Sequence, residues 1–378
     1  GTGLSAGGGG GGSSAGTASD GNNGSGLNGG VAVTDGGAGG SGARGAQGGS
    51  GTPPGGGGAG GHRISGTNRA GGSGADGQVR VWIPPFVYFS EGSLSPHLYS
   101  SWKTPLGTNP VNFTSNDQVF VIQYGHNMTT TAAWSVSGAN TTVQIQNGGI
   151  LTENNNITLS ASTSLQIDDG GTLNHNVNSI SIFGGTESFD AASTVNYGRS
   201  GVQAVQGLDY GNLTTSGSGT KTLNNNTRVN GTLTLNSSVL SLGSYDLTLG
   251  PAAVISGSFS ATSMINIVGS SIIKEGNQNA DFILTFPIGI GTDYTPVEIS
   301  GFTATTIAPS SSVAIQSSAT AAPGTPGFYP LRRHWITSTN GFSGSLLANI
   351  SFAYLSADIP AGGSVDRYEI VYRPATGT

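Results

Sequence analysis

Residues 141–173 read "TTVQIQNGGILTENNNITLSASTSLQIDDGGTL". Apolar and polar side chains alternate in short pulses, and each pulse stops at Asn, Gly or Asp-Asp-Gly. A period of two belongs to strands buried on one face, and the stops are turn chemistry. The tetrads "GGIL" at 148–151 and "GGTL" at 170–173 lie 22 residues apart, and "NGTLTL" follows at 230–235. A repeat of about 20 residues with two or three short strands predicts a parallel β-helix. Each coil would stack Leu, Ile and Val on the next and place Asn and Gly at its corners. On this reading Ile150 and Leu173 occupy matching inward places. A series of antiparallel sandwiches is the rival reading.

The same texture extends to both sides, in "VFVIQY" (119–124), "GTLTLNSSVLSL" (231–242) and "YDLTLGPAAVISG" (245–257), which places the β-helix at 111–260. Beyond it the pulses lengthen, as in "FILTFPIG", "SLLANISFAYL" and "RYEIVYR". Such strands predict a C-terminal β-sandwich over 261–378, its last strand completed by further residues. The chain opens on Gly1 with neither Met nor an apolar leader, so a processed or partial piece of a longer secreted polypeptide is expected.

Upstream the texture is different. Residues 1–80 hold 34 of the 66 Gly, and between Gly36 and Gly51 a Gly falls at every third position. Three residues per turn is the period of the polyproline-II helix, and collagen would need far more Pro. The block 1–78 therefore reads as a polyglycine-II-like bundle, ordered by backbone hydrogen bonds between bare Gly edges. Leu4, Leu27, Val31, Val33 and Ile64 would be its few apolar pins. A flexible linker is the alternative. Residues 79–110 then gather Trp82, Phe86, Tyr88, Phe89, Tyr99 and Trp102, after an opening block with no aromatic residue. They read either as a cap on the next domain or as an interaction surface for sugars or a neighbouring subunit.

Composition narrows the function. Charged residues make up 8% against an ordinary share of about 25%. The net charge of -6 offers no basic face, so nucleic acid is not expected as a partner. With no Cys there is neither a disulfide framework nor a thiolate metal site. No apolar run is long enough for a membrane helix.

The segments "FPIGIGTDYTPVEIS" (286–300), "LRRHWITSTN" (331–340) and "ANISFAYLSADIP" (348–360) resemble a module of large cell-surface proteins of Bacteroidota exported by the type IX secretion system. Residues 211–250 are similar to the solenoid stretches that precede such modules. The resemblance covers about 210–378 and does not include the sorting domain of that family. It implies a secreted, adhesin-like or filament-forming protein that meets the type IX machinery during export. It carries no catalytic residue over.

Candidate chemistry is sparse. The five His (His62, His97, His126, His175, His334) are too scattered to read as a ligand pair, and neither metal nor other cofactor is expected. Asp168 and Asp169 form the only adjacent acidic pair. At a defined separation the two carboxylates would serve a polysaccharide hydrolase, and with Ca²⁺ and a base such as Arg199 or Lys221 a lyase, yet Asp-Asp-Gly-Gly is also corner chemistry. "GGGGGG" at 7–12 lacks the Lys-Ser/Thr of a phosphate loop. Arg63 and Arg69 make a mildly basic patch, and sequons such as Asn112 and Asn230 follow from Asn/Thr richness. The expectation is a non-catalytic extracellular structural or adhesive protein. Its partners would be copies of itself, other surface proteins or polysaccharide. A polysaccharide-acting enzyme is the first alternative. The second is an ice- or surface-binding protein, which needs Thr in register on successive coils; the uneven repeat argues against that.

Overall fold

The computed structural model describes residues 8–16, 19–62, 67–78, 86–276, 284–321 and 330–364. The chain divides into two compact units, Gly1–Ile83 and Pro84–Thr378. Trp82, Arg63, Leu4 and Ile64 lie outside the described residues.

Among the described residues of the first unit the backbone is cross-bonded without regular strands. Segment 36–42 is bonded to four others. Gly11 and Ser14 donate to the carbonyls of Gly40 and Gly37, and Gly39 and Gly42 donate to Gly30 and Leu27. Gly49 and Thr52 donate to Ser41 and Ala38, while Gly37 and Gly40 donate to Pro54 and Gly57. On every edge the bonds recur three residues apart, as expected of packed three-residue helices. A Cβ at Gly36, Gly39 or Gly42 would run into the carbonyl of Ser14, Gly11 or Gly8. A second Gly phase does the same: a Cβ at Gly37 or Gly40 would meet Thr52 or Gly49. Two glycines per turn are needed because this segment has backbones on more than one side. The chain turns at Gly45, which has φ 69°, and the every-third series resumes beyond it, where a Cβ at Gly48 or Gly51 would meet the carbonyl of Ala59 or Gly56.

The second unit is an all-β parallel solenoid. One seven-stranded parallel sheet runs through it, from Asn127–Thr129 through Ile150–Glu153, Thr172–His175, Thr194–Tyr197, Asn212–Thr215 and Thr232–Leu235 to Val254–Gly257. The early coils add a sheet built on Gln118–Ile122, Thr141–Ile145, Thr163–Ile167 and Thr186–Phe189. The later coils replace it with two sheets that start at Gln203–Val205 and Asp209–Tyr210. Inward side chains stack in columns, such as Met128, Leu151, Leu173, Val195, Leu213 and Leu233, each fully buried or nearly so.

The expected partner of Leu173 is corrected by this register. Ile150 faces outward opposite Thr172, and Leu151 is the inward residue opposite Leu173. The two tetrads do match, but a strand alternates, so the inward place falls on their last residue.

Phe86–Ser90 pairs in parallel with Gln118–Ile122, so the aromatic stretch supplies the first rung. Parallel pairing also continues past residue 260, where Ile265–Asn266 pairs with Ile288–Ile290. The C-terminal β-sandwich is not what the described residues form. Val297–Ser318 and His334–Phe352 make one long antiparallel hairpin, bonded to the last coil through Ile272–Glu275. Several of the long pulses are halves of one strand, carried through register shifts near 300–312, and so imitate separate strands in sequence.

Candidate binding face

The acidic pair proposed for catalysis is held at a corner. Asp168 accepts hydrogen bonds from Gln144 and Gln166, each at 2.8 Å. Asp169 accepts the backbone N–H of Ala192 at 2.7 Å, and Gly170 takes φ 78°. Arg199 stands at a different corner, after Thr194–Tyr197, where its guanidinium donates to the Val202 carbonyl. Lys221 is buried and its ammonium is cradled by the carbonyls of Arg199, Gly201 and Ser218. The fold thus brings Lys221 to the Arg199 backbone, while both carboxylates are spent on Gln side chains and a backbone N–H. Changing Asp168 and Asp169 together to Asn should leave any binding of insoluble polysaccharide unchanged; a cleavage activity lost in this variant would restore the enzyme reading.

Lys274 repeats the Lys221 arrangement, with the carbonyls of Gly250, Pro251 and Ala253 at 2.6, 2.9 and 2.8 Å. Burial pulls both ammonium groups down to about 8. Between pH 8 and 10.5 the unfolded chain therefore binds more protons than the folded one, and stability rises with pH. Burial pushes the Tyr197 and Tyr210 hydroxyls up, so above pH 10 they oppose that gain. The melting temperature should climb from pH 8 to about 10 and then turn down. A flat profile would show that the lysines are not buried as described.

The six aromatic residues do not form one surface. Tyr88 and Trp102 are buried, because strand alternation turns Tyr88 inward and Trp102 packs into a plug with Phe120 and Trp134. The Trp102 indole N–H donates to the Pro96 carbonyl at 2.8 Å. Phe86 and Tyr99 are 54% and 48% exposed, Phe89 is half-buried, and Trp82 lies outside the described residues. The His are scattered too. His97 and His126 bond Ser95 and Ser90, and His334 bonds the Thr320 carbonyl. Among the described residues no group of three His, Cys, Asp or Glu is placed to hold a metal.

One buried pair escaped the sequence reading. Glu153 and His175 sit on neighbouring coils, fully buried, with Oε2 and Nδ1 2.5 Å apart. The other Glu153 oxygen accepts the Ile157 N–H at 2.7 Å, and His175 Nε2 has no partner. The signal was present: each follows its tetrad by two residues.

The outer face of the seven-stranded sheet is a regular surface. Register places its outward residues in two columns. One is Asn127, Ile150, Thr172, Thr194, Asn212, Thr232 and Val254; the other is Thr129, Thr152, Asn174, Asn196, Thr214, Thr234 and Ser256. None is charged or aromatic. Part of this face is self-bonded along the axis. Thr152 donates to Asn127, Asn174 to Thr152, Asn196 to Asn174, and Ser216 to Asn196, at 2.8 to 3.3 Å. The hydroxyls of Thr172, Thr194, Thr214, Thr232 and Thr234, by contrast, have no hydrogen-bond partner among the described residues.

The uneven repeat does not spoil this register, contrary to expectation. The step is 22 residues from Thr172 to Thr194, 18 from Thr194 to Asn212 and 22 from Thr232 to Val254, yet each pair is directly opposed. Length differences are absorbed in the corners and the strands stay aligned.

No protein-family model matches the chain, and no curated protein or solved structure matches it either.

Proposed function

We propose that the chain is a non-catalytic structural and adhesive segment of a larger extracellular, cell-surface or filament protein. The observation that carries this reading is the uncharged Thr/Asn face, held in register on a parallel solenoid. A parallel solenoid of this kind is a stiff support, since each coil is fixed to its neighbours by backbone ladders and a stacked apolar core. A rigid array of small polar groups loses little entropy on binding and suits a repetitive partner. The Gly-rich bundle adds a second side-chain-poor body fit for stacking on copies of itself or on other surface proteins. The resemblance of 210–378 to type IX-exported adhesins agrees with this reading. The roles of Asp168 and Asp169 as corner acceptors weigh against the polysaccharide-acting enzyme. Immunolabelling of intact cells that produce the protein tests the proposal: label on the outer surface or on filaments is expected, and label confined to the cell interior would overturn it.

A further inference from the structure

The free hydroxyls of the seven-stranded sheet are arranged as a lattice. Four neighbouring strands carry them: Thr172, Thr194 and Thr232 in one column, Thr214 and Thr234 in the other, with Asn174, Asn196 and Asn212 filling the remaining places. Strand spacing sets the step along a column at about 4.8 Å, and two residues of rise set the columns about 6.6 Å apart. The eight side chains thus cover a patch about 14 Å long along the axis. Each Thr is β-branched and stiff at χ1, so its hydroxyl and methyl are held rather than sampled. All eight residues are half-buried by their neighbours, which fixes them further.

We propose that this patch binds ice, by matching its Thr/Asn lattice to the water lattice of a crystal plane. The proposal rests on the reading above of a non-catalytic binding face and names the surface that the face would hold. Ice is a partner without charge, made only of donors and acceptors at fixed repeats of a few ångströms, the scale of those of the patch. The face answers with unpartnered donor-acceptor hydroxyls, uncharged amides and intervening methyl groups. Other partners fit less well. Sugar rings are gripped by aromatic stacking, and protein interfaces centre on aromatic residues and Arg. An anionic surface calls for Lys or Arg. None of these is present among the outward residues of the seven strands.

The test uses the whole chain in frozen sucrose solution, with ice-crystal coarsening and uptake into a growing ice hemisphere as readouts. The unaltered chain should suppress coarsening and enter the ice. Thr194→Tyr and Thr214→Tyr each stand a ring above the plane, and each should raise the protein concentration needed by about tenfold or more. Thr142→Tyr, on the outer face of the Thr141–Ile145 sheet, should change nothing. Melting temperatures of all three variants show whether they are folded, so a loss caused by misfolding is recognised, and Thr194→Ser then serves as a milder second variant expected to lose part of the activity. A chain excluded from ice, or a folded Thr194→Tyr variant as active as the parent, overturns the proposal. So does binding to chitin or cellulose that Thr194→Tyr abolishes while ice is ignored. Failure here leaves cell-surface labelling untouched, so the two readings fall separately.

Discussion

Replacing His175 by Phe should destabilise the solenoid by about 3–5 kcal/mol, the cost of leaving a buried carboxylate without its partner. Glu153 is fully buried, and after the change only the Ile157 N–H at 2.7 Å would answer its two oxygens. His175 also packs edge-on against Tyr197 and Phe183, at 5.2 and 5.4 Å between ring centroids, so a Phe ring keeps the volume and isolates the electrostatic loss. Glu153→Leu should cost less, because it removes the carboxylate and leaves only the His175 ring short of its partner. The double variant Glu153→Leu/His175→Phe should recover much of the loss, since an apolar pair of similar volume avoids desolvating charge. Urea midpoints of the four proteins give the coupling directly. Additive losses would mean that the two side chains do not meet inside the coil stack.

The second large effect lies in the Gly-rich unit. Gly39→Ala should disorder much of it, because the new methyl would fall on the Gly11 carbonyl and part segments bonded through Gly11, Gly30 and Gly40. Every buried backbone group left unpaired costs about 1–3 kcal/mol, and this unit has little apolar core to compensate. Gly9→Ala is the matched control, as nothing lies within 4 Å of a Cβ there. Amide exchange across 36–61 should accelerate toward random-coil rates in Gly39→Ala and stay slow in Gly9→Ala. Equal behaviour of the two would show that the close backbone packing does not exist in solution.

Much of this architecture was legible from residue periods alone. Alternation in "TTVQIQ" and the spacing of "GGIL" and "GGTL" lead to stacked coils, and Gly at every third place leads to a backbone-bonded bundle. What was not legible depends on register. Asn174, Asn196 and Thr214 become one column only once corners have taken up steps of 22 and 18 residues, and sequence distance hides that. The fate of Trp102 was hidden for a related reason. An aromatic-rich stretch looks the same whether it plugs a coil or faces solvent, and only the strand that Phe86–Ser90 joins decides between them. The long hairpin was read as several strands, because bulges within Val297–Ser318 interrupt the alternation as loops would.

Seven strands hold one register across an uneven repeat, and the Thr/Asn face depends on it. The chain has no native Cys, so Thr129→Cys and Ser256→Cys can carry two spin labels at the ends of one column. Six strand steps separate them, which predicts a single narrow distance distribution centred at about 29 Å before allowance for the label arms. A broad distribution, or a centre far from that value, would mean that the coils do not stack in register and that the Thr/Asn lattice is not there to bind anything.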